Sequence, residues 1–272
     1  MAFGCDETAL FDRFSCCYRH TRSAVMRQIE RNVFGCDYGA TSWTTQPDAD
    51  RIARLIGLGP DKLILDIGCG SGWPALYWAR VTGCAVVLID VPLDGLRLAQ
   101  ERADQDQLPS CWVVGADATA LPFENATFDV ITHSDVLCCL KPKQAVLAAL
   151  SRLIRADGIM AFTVISIVPG LSERDRRRAV ESGPSFIDAS TDYASMLRKS
   201  AWHITERLDV THEYSAAVRR LLCQEESRRD DLIALLGPDE HHDRLAQRRR
   251  TADALEQHLI QRELFLAVPQ HR

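Results

Sequence analysis

The stretch LILDIGCGSGWPALYW, residues 63–78, decides the fold. It begins with an apolar run typical of a buried strand, continues through a glycine-rich turn and ends in a helical pattern. Glycines at positions 68, 70 and 72 let the chain turn sharply and approach a ligand without interference from a Cβ atom. In an open α/β sheet such a turn lies at the carboxyl ends of the strands, where ligands bind. The stretch therefore predicts a strand, a turn and a helix with a binding crevice beside them.

Apolar runs alternate with helical patterns after this unit, which is the pattern of a parallel sheet. Two later apolar runs, at 203–211 and 262–270, predict a sixth and a seventh strand, and we expect the seventh at the sheet edge or beside strand five. The sequence thus predicts an α/β fold with a doubly wound, seven-stranded, mostly parallel sheet. The first five predicted strands are 62–67, 85–90, 111–116, 128–133 and 158–168, and the helices between them are 73–82, 93–107 and 142–155.

Three parts of one domain follow from this order. Residues 1–60 are predicted to form a helical cap, with one helix over 18–35, and residues 61–168 form the ligand-binding core. Residues 169–272 are predicted to carry helical insertions and the last two strands, which complete the same sheet. Because the insertions, at about 169–202 and 212–261, leave from or return to edge strands, we expect them to form a lid over the carboxyl edge.

Composition and charge exclude several classes of function. Of the 272 residues 46% are hydrophobic and 25% are charged, which is typical of a globular protein. The net charge of -5 argues against a nucleic-acid partner, because domains that bind phosphate backbones are usually basic. No apolar run approaches the roughly 18 residues that cross a bilayer, and Asp6, Glu7 and Asp12 stand where a signal peptide needs positive charge. We expect a cytoplasmic protein without a membrane partner, and the sequence leaves a homodimer open.

The ten cysteines are expected to be reduced thiols, because no export signal accompanies them. The adjacent pairs Cys16–Cys17 and Cys138–Cys139 lack the gap of two to four residues with which cysteines surround zinc, so no metal site is predicted. Several cysteines are instead expected to fill the core as small apolar residues. They are Cys69, Cys84, Cys111, Cys138 and Cys139.

Charged clusters late in the chain are expected to be solvated. Acidic residues interleave with the arginines of 174–178 and lie beside those of 248–250, a pattern typical of an exposed helix face. His241 and His242 follow Gly237 and Pro238, so we expect them in an exposed turn between helices.

Acidic residues end three of the predicted core strands. Asp66 precedes the glycine turn, Asp117 closes the third strand, and Asp90 ends the second strand 22 residues after Gly68. That spacing suits an acid that binds ribose hydroxyls. Since position 73 is Trp, the motif is G-x-G-x-G rather than the dinucleotide motif G-x-G-x-x-G, and no phosphate-binding loop with Gly-Lys-Ser/Thr is present. A nucleoside ligand is therefore predicted.

Four segments together resemble the class I S-adenosylmethionine-dependent methyltransferase family. The resemblance extends from Lys62 to about Val168 and includes the small-molecule group of ubiquinone/menaquinone C-methyltransferases. The segments are DIGCGSG (66–72), LID (88–90), GADATALPF (115–123) and FDVITHSDVLCCL (128–140).

This resemblance implies S-adenosylmethionine as cofactor, S-adenosylhomocysteine as product, and a set of binding residues. Asp66 and the turn of Gly68, Cys69, Gly70 and Gly72 would hold the methionine part. Asp90 and the adjoining Val91 would hold the ribose, Asp117 and Ala118 the adenine, and His133, Ser134 and Asp135 would lie under the sulfonium. Residues 38–52 resemble the segment that closes over the methionine end. Its candidates are Tyr38, Trp43, Thr45 and Gln46, and a packing role for the two aromatic rings stays open.

The predicted function is methyl transfer to an N, O or C atom of a small-molecule acceptor by in-line displacement at the sulfonium carbon. A base is needed only if the acceptor must lose a proton, and His133, at the end of a core strand, is the candidate. The alternative is that His133 caps the strand and only its backbone lines the pocket. The fourth strand ends in HSDV and lacks the Pro-Pro motif with which nucleic-acid amino-methylating enzymes bind a flipped base. A different class of function stays open: a nonenzymatic S-adenosylmethionine sensor or a partner-activating subunit.

Overall fold

The sheet of the computed structural model, which describes residues 5–39, 41–189 and 191–270, has seven strands in the order β3-β2-β1-β4-β5-β7-β6. Neighbouring strands among the first five run parallel, and β7 runs antiparallel to both β5 and β6. The predicted fold class is confirmed, and the seventh strand lies beside β5 as expected. The strands are β1 (Leu63–Ile67), β2 (Ala85–Asp90), β3 (Cys111–Gly115), β4 (Phe128–Ser134), β5 (Ile154–Ile167), β6 (Trp202–Asp209) and β7 (Ile260–Pro269).

Helices cover both faces of this sheet, and a 3-10 turn at Leu137–Cys139 follows β4. Three helices precede the sheet, three connect its parallel strands, and the others belong to the two insertions. They are α1 (Cys5–His20), α2 (Ala24–Phe34), α3 (Gln46–Leu55), α4 (Ala75–Thr82), α5 (Leu93–Gln105), α6 (Lys143–Leu153), α7 (Glu173–Ser182), α8 (Tyr193–Lys199), α9 (Thr211–Ser227), α10 (Arg229–Leu236) and α11 (Pro238–Glu256).

The cap contains two helices where the sequence predicted one over 18–35. The chain leaves α1 after His20, and Ser23 caps α2 because its hydroxyl accepts a hydrogen bond from the backbone N–H of Met26 at 3.3 Å. A serine side chain that satisfies a free N–H at a helix start favours a new helix over continuation of the old one. Gly35, at φ 79°, ends α2.

The core has two halves, one on each face of the sheet, because successive side chains of a strand point to opposite faces. On one face Leu65, Phe162 and Phe265 pack under α6 and α8. On the other face Ile64 and Leu88 pack under α3, α4, α5 and α9. Burial on both faces explains why the strands read as continuous apolar runs.

The first insertion contributes to this core as well as to the outer surface. Met196 and Leu197 of α8 are buried, and Trp202, which begins β6, is fully buried and donates from Nε1 to the carbonyl of Leu147 at 2.9 Å. In the second insertion α9 packs against α2 and α11. The lid role of these helices stays a prediction. Residues 1–4, Ala40 of the 38–52 segment and Ser190 of the first insertion lie outside the described residues.

The nine cysteines whose side chains the structure describes, from Cys16 to Cys223, are free thiols. Cys69, Cys84 and Cys138 are buried as predicted. Cys111 and Cys139 are only half-buried, since Cys111 begins the edge strand β3 and Cys139 ends the 3-10 turn. No helix in the described parts of the chain is both long and apolar enough to cross a membrane.

Candidate functional site

The glycine turn after β1 forms the base of the predicted cofactor crevice. Gly68, Gly70 and Gly72 have φ values of 63°, 54° and 94°, a left-handed conformation that residues with a Cβ atom rarely adopt. A Cβ atom added to Gly70 would collide with the hydroxyl of Tyr18, which comes from α1. The turn therefore requires glycine both for its backbone and for the close approach of the cap.

Asp90 ties the end of β2 to this turn. Its Oδ2 accepts the backbone N–H of Gly70 at 2.8 Å, and its Oδ1 accepts the backbone N–H of Val91 at 2.7 Å. Burial raises the pKa of Asp90 to about 6, and the two backbone hydrogen bonds oppose that rise. The carboxylate keeps lone pairs available, because each of its oxygens accepts only one of these bonds.

Asp66 lies at the end of β1, and its side chain is only 2% exposed. Thr132 of the neighbouring strand β4 donates from Oγ1 to Asp66 Oδ1 at 2.7 Å. Burial raises the pKa of Asp66 to about 7, the Thr132 bond lowers it, and the nearby charge of Asp90 raises it further. One buried and one half-buried carboxyl group, those of Asp66 and Asp90, therefore lie close to the glycine turn, so this end of the candidate site is acidic.

The predicted adenine residues follow β3. Asp117 is half-buried, and its Oδ1 accepts both the backbone N–H and the hydroxyl of Thr119 at 2.7 Å. These bonds explain an acid at this position as a turn-stabilising residue. The other oxygen, Oδ2, has no part in them, so an adenine contact through Asp117 and the adjacent Ala118 stays a prediction.

The side chain of His133 points into the core. Its ring stacks on Phe162 with a centroid distance of 4.5 Å, and neither ring nitrogen has a hydrogen-bond partner among the described residues. Burial lowers the pKa of His133 to about 3. This geometry favours the lining role over the general-base role, and the base stays a prediction. The next residue, Ser134, lies within 3.3 Å, Oγ to Oγ1, of Thr44.

The four candidates of the 38–52 segment lie in two places. Trp43 packs edge-on against Tyr214 of α9 at 5.0 Å between ring centroids, beside the end of β4. Thr45 caps α3 in a reciprocal arrangement with Asp48. Tyr38 and Gln46 line a pocket of about 300 Å³ against α4 and α5, and none of the glycine turn, Asp66 or Asp90 lines that pocket.

A group of charged side chains, which we call the arginine cluster, lies beyond the end of β4. Arg262, fully buried on β7, donates from Nε and Nη2 to the carboxylate of Asp135 at 2.9–3.2 Å. Arg262 also donates to the hydroxyls of Thr44 and Thr163, at 3.1 and 3.0 Å. The members of the cluster are Asp135, Glu225, Arg244, Arg248 and Arg262.

The helical part of the arginine cluster has more positive than negative charge. Glu225 of α9 is fully buried, and its Oε1 accepts from Arg244 Nε at 2.6 Å. Arg248 lies over the ring of Trp43, 5.1 Å from its centroid, and its Nε is 3.9 Å from Glu225 Oε2 with no hydrogen-bond partner among the described residues. Burial lowers the pKa of Arg248. The five members, three arginines and two carboxylates, carry one excess positive charge among themselves, and the charges of Asp48 and Glu240 act on Arg262 and Arg244 from outside the cluster.

Three residues of the candidate site were not identified from the sequence. The sequence placed Tyr18 only in a helix, Arg262 only in a strand, and Arg248 on a solvated helix face. The prediction for Arg248 is wrong, because its side chain is 24% exposed and lies under the segment that contains Trp43. The prediction of an exposed turn is also wrong for His241, which is 3% exposed inside α11.

The family model described as "Methyltransferase domain" matches residues 65–162. That range contains most of β1, all of β2, β3 and β4, the glycine turn, Asp90 and most of β5. Residues 65–162 thus match a methyltransferase domain, in agreement with the class I S-adenosylmethionine-dependent methyltransferases. This match supports the resemblance stated from the sequence and the class of cofactor that it implied.

Two curated relatives and one solved structure illustrate the relationship. The chain is 25% identical to a phosphoethanolamine N-methyltransferase of Triticum aestivum over 78% of this chain and 41% of that protein. It is 29% identical to the 27-O-demethylrifamycin SV methyltransferase of Amycolatopsis mediterranei over 60% of this chain and 61% of that protein. The chain therefore spans about half the length of these relatives.

The solved structure is a phosphoethanolamine N-methyltransferase of Haemonchus contortus in complex with phosphomonomethylethanolamine and S-adenosylhomocysteine. The TM-score is 0.77 at 17% identity, and the alignment covers 95% of this chain and 60% of that one. This likeness shows the shared fold.

Proposed function

We propose that the chain transfers the methyl group of S-adenosylmethionine to a small-molecule acceptor and releases S-adenosylhomocysteine. The observation that carries the proposal is the glycine turn, in which three left-handed glycines lie next to a carboxylate, Asp90, that is fixed by the turn itself. A ligand with a ribose diol and a cationic centre suits such an acidic crevice.

The residues present fit this cofactor. The left-handed turn lies beside Asp90, and the carboxyl oxygens of Asp66 and Asp90 can accept hydrogen bonds from the amino and hydroxyl groups of the cofactor. When bound, the cofactor supplies an electrophilic methyl carbon on a sulfonium. The chain's own residues then have two tasks, which are to hold the acceptor in line with that carbon and to exclude water.

The arginine cluster favours an acceptor that carries an acidic group. Its excess positive charge lies at the end of β4, next to the residues that the family resemblance places under the sulfonium. The unpartnered Nε of Arg248 can donate to a carboxylate or a phosphate. Trp43 and Tyr214 enclose this region, which supports a small molecule over a folded protein. The named relatives that act on phosphoethanolamine agree with this class.

The remaining parts of the assignment stay predictions: the contacts of Tyr38 and Gln46 with cofactor, the base role of His133, the cytoplasmic location, the absence of nucleic-acid and membrane partners, and the homodimer left open by the sequence.

The experiment is an acceptor panel in which release of S-adenosylhomocysteine is measured. We expect turnover with a small amine that bears a phosphate or carboxylate, for example ethanolamine phosphate or glycine, and little with ethanolamine itself. Binding of S-adenosylmethionine without turnover on any acceptor of the panel would favour the sensor instead.

The matched pair Arg248→Met and Arg249→Met tests the role of the cluster. Arg249 is exposed and pairs with Glu226 at 2.7 Å. We expect Arg248→Met to raise KM for the acidic acceptor by about tenfold or more, since a charge-assisted hydrogen bond is lost, whereas Arg249→Met leaves KM unchanged. Equal KM values in both variants would remove Arg248 from the acceptor site.

A further inference from the structure

Two helices that are far apart in sequence bring three potential metal ligands together. Cys16 and His20 belong to α1 and are four residues apart, so their side chains share one face of that helix. Glu240 belongs to the first turn of α11. One ligand atom from each residue, the thiol sulfur, a ring nitrogen and a carboxylate oxygen, lies within 4.8 Å of the other two.

These distances are close to those of a metal centre. With zinc bonds of 2.0–2.3 Å, neighbouring ligand atoms of a tetrahedral site are roughly 3.3–3.8 Å apart. A rotation of the side chains that closes about 1 Å would complete the arrangement. Cys16 and His20 are half-buried and Glu240 is exposed, so an ion can reach the group from solvent.

The donor atoms select the class of ion. A thiolate, an imidazole and a carboxylate are the ligands of Zn²⁺, whereas Ca²⁺ and Mg²⁺ take oxygen ligands. The thiolate and the carboxylate together balance the charge of a divalent ion. Of the nearby arginines, Arg19 pairs with Asp94 at 3.7 Å. Arg244 donates to Glu225 at 2.6 Å, and the charge of Glu240 also acts on Arg244, so an ion would compete with Arg244 for Glu240.

We propose that Cys16, His20 and Glu240 form a Zn²⁺-class site that ties the cap helix α1 to the insertion helix α11. Three protein ligands leave a fourth position for water. On binding, the Cys16 thiol releases its proton to solvent and the thiolate sulfur bonds to the ion, with no change in oxidation state. No spacing motif could have shown this site, because its ligands come from opposite ends of the chain.

The site would act on the cofactor crevice through Tyr18. This residue lies between Cys16 and His20 in sequence, points to the other side of α1 and contacts Gly70 and Gly95. Its hydroxyl is also 3.5 Å from Thr41 Oγ1. An ion that holds α1 against α11 would therefore hold Tyr18 on the glycine turn. This inference does not depend on the proposed reaction.

The test is Zn²⁺ titration by calorimetry, with Co²⁺ as a spectroscopic probe of thiolate coordination, on the full chain kept reduced. The ligand variants are Cys16→Ser and His20→Gln. The controls are Cys17→Ser and His242→Gln, which change a neighbouring cysteine and a neighbouring histidine outside the group. We expect one Zn²⁺ per chain in the wild type and both controls, with at least about tenfold weaker binding in the ligand variants.

Hydrogen exchange gives a second readout that does not depend on how well the variants fold. In the wild type we expect Zn²⁺ to slow exchange in α1 and in the first turn of α11. A charge-transfer absorption with Co²⁺ that disappears in Cys16→Ser would support the site. Equal Zn²⁺ affinity and stoichiometry in the wild type and all four variants would show adventitious binding to other cysteines and would overturn the proposal. Absence of Zn²⁺ binding by the wild type, or unchanged exchange in α1, would overturn it as well.

Discussion

The glycine turn and the arginine cluster lie at the same edge of the sheet but are built in opposite ways. The turn, with Asp66 and Asp90, comes from one short stretch of sequence, uses backbone geometry and is acidic. The arginine cluster is assembled from residues 135–262, uses side-chain charge and has an excess of positive charge. The difference suggests a division of labour in which a cationic cofactor binds at the acidic end and an anionic acceptor at the basic end.

The largest expected effect is on stability, at the buried pair of the arginine cluster. Arg262→Met leaves Asp135 buried without its cation, so the free energy of unfolding should fall by about 3–5 kcal/mol. Urea unfolding followed by circular dichroism measures this change.

The control is Arg177→Met, which removes an exposed pair with Glu173 (3.3 Å) and should cost less than about 0.5 kcal/mol. Equal losses in the two variants would mean that the Arg262–Asp135 pair is not a structural anchor of the cluster.

A substitution in the glycine turn is expected to weaken the binding of S-adenosylhomocysteine. Gly70→Ala combines a left-handed backbone with a clash against Tyr18, so affinity for S-adenosylhomocysteine should fall by about tenfold or more. Gly57→Ala is the matched control, because Gly57 has a similar φ of 61° but open space around its Cβ position. If both variants bind like the wild type by calorimetry, the turn is not the cofactor site.

His133 lies between the two regions, and its replacement sharpens the comparison. Since the ring stacks on Phe162 and has no polar partner among the described residues, His133→Phe should keep the packing and reduce kcat by less than about tenfold. Steady-state kinetics on the best acceptor measure this. A loss of about 100-fold with unchanged cofactor affinity would instead establish His133 as the general base.

The last expected effect is a pH dependence from Asp66. The folded protein holds this proton up to a pKa of about 7, whereas the unfolded chain releases it near pH 4. The contribution of Asp66 to stability is therefore fully present below pH 4 and is lost as the pH rises to about 7. Asp66→Asn should then gain in Tm relative to the wild type between pH 5 and pH 8. A Tm difference between Asp66→Asn and the wild type that does not change with pH would contradict this assignment. The control is Asp104→Asn, at an exposed position of α5.

Sequence reasoning reached the sheet and the glycine turn because both are local. Each core strand is one apolar run, and the turn and Asp90 lie within a single strand–helix–strand unit. The break between α1 and α2 at Ser23 was not predicted. The free energy by which a serine cap favours a new helix over a continuous one is small, and hydrophobic periodicity does not show it. Arg248 was misread because acids beside it in sequence suggested a solvated face, whereas the ring that covers it, Trp43, is about 200 residues away in sequence.

The same limit explains what sequence reasoning could not say of His133 and His241. The sequence predicted a functional role for His133 and an exposed turn for His241. In the structure both rings are buried, and their nitrogens have no hydrogen-bond partners among the described residues. Burial of a single residue depends on which helix packs above it, and that contact is non-local. The comparison of the two regions therefore also separates what local patterns predict from what only the assembled fold shows.

The most direct test of the account is calorimetry of S-adenosylhomocysteine binding to the wild type, Asp90→Ala and the control Asp104→Ala. Asp90 joins the glycine turn to β2 and is the predicted ribose acceptor, so its loss should weaken binding by about 1–3 kcal/mol, or roughly 5- to 150-fold. Asp104 is exposed on α5, so the Asp104→Ala variant should bind S-adenosylhomocysteine as tightly as the wild type does. Wild-type affinity in Asp90→Ala, with a folded protein by circular dichroism, would contradict the placement of the cofactor on which the whole account rests.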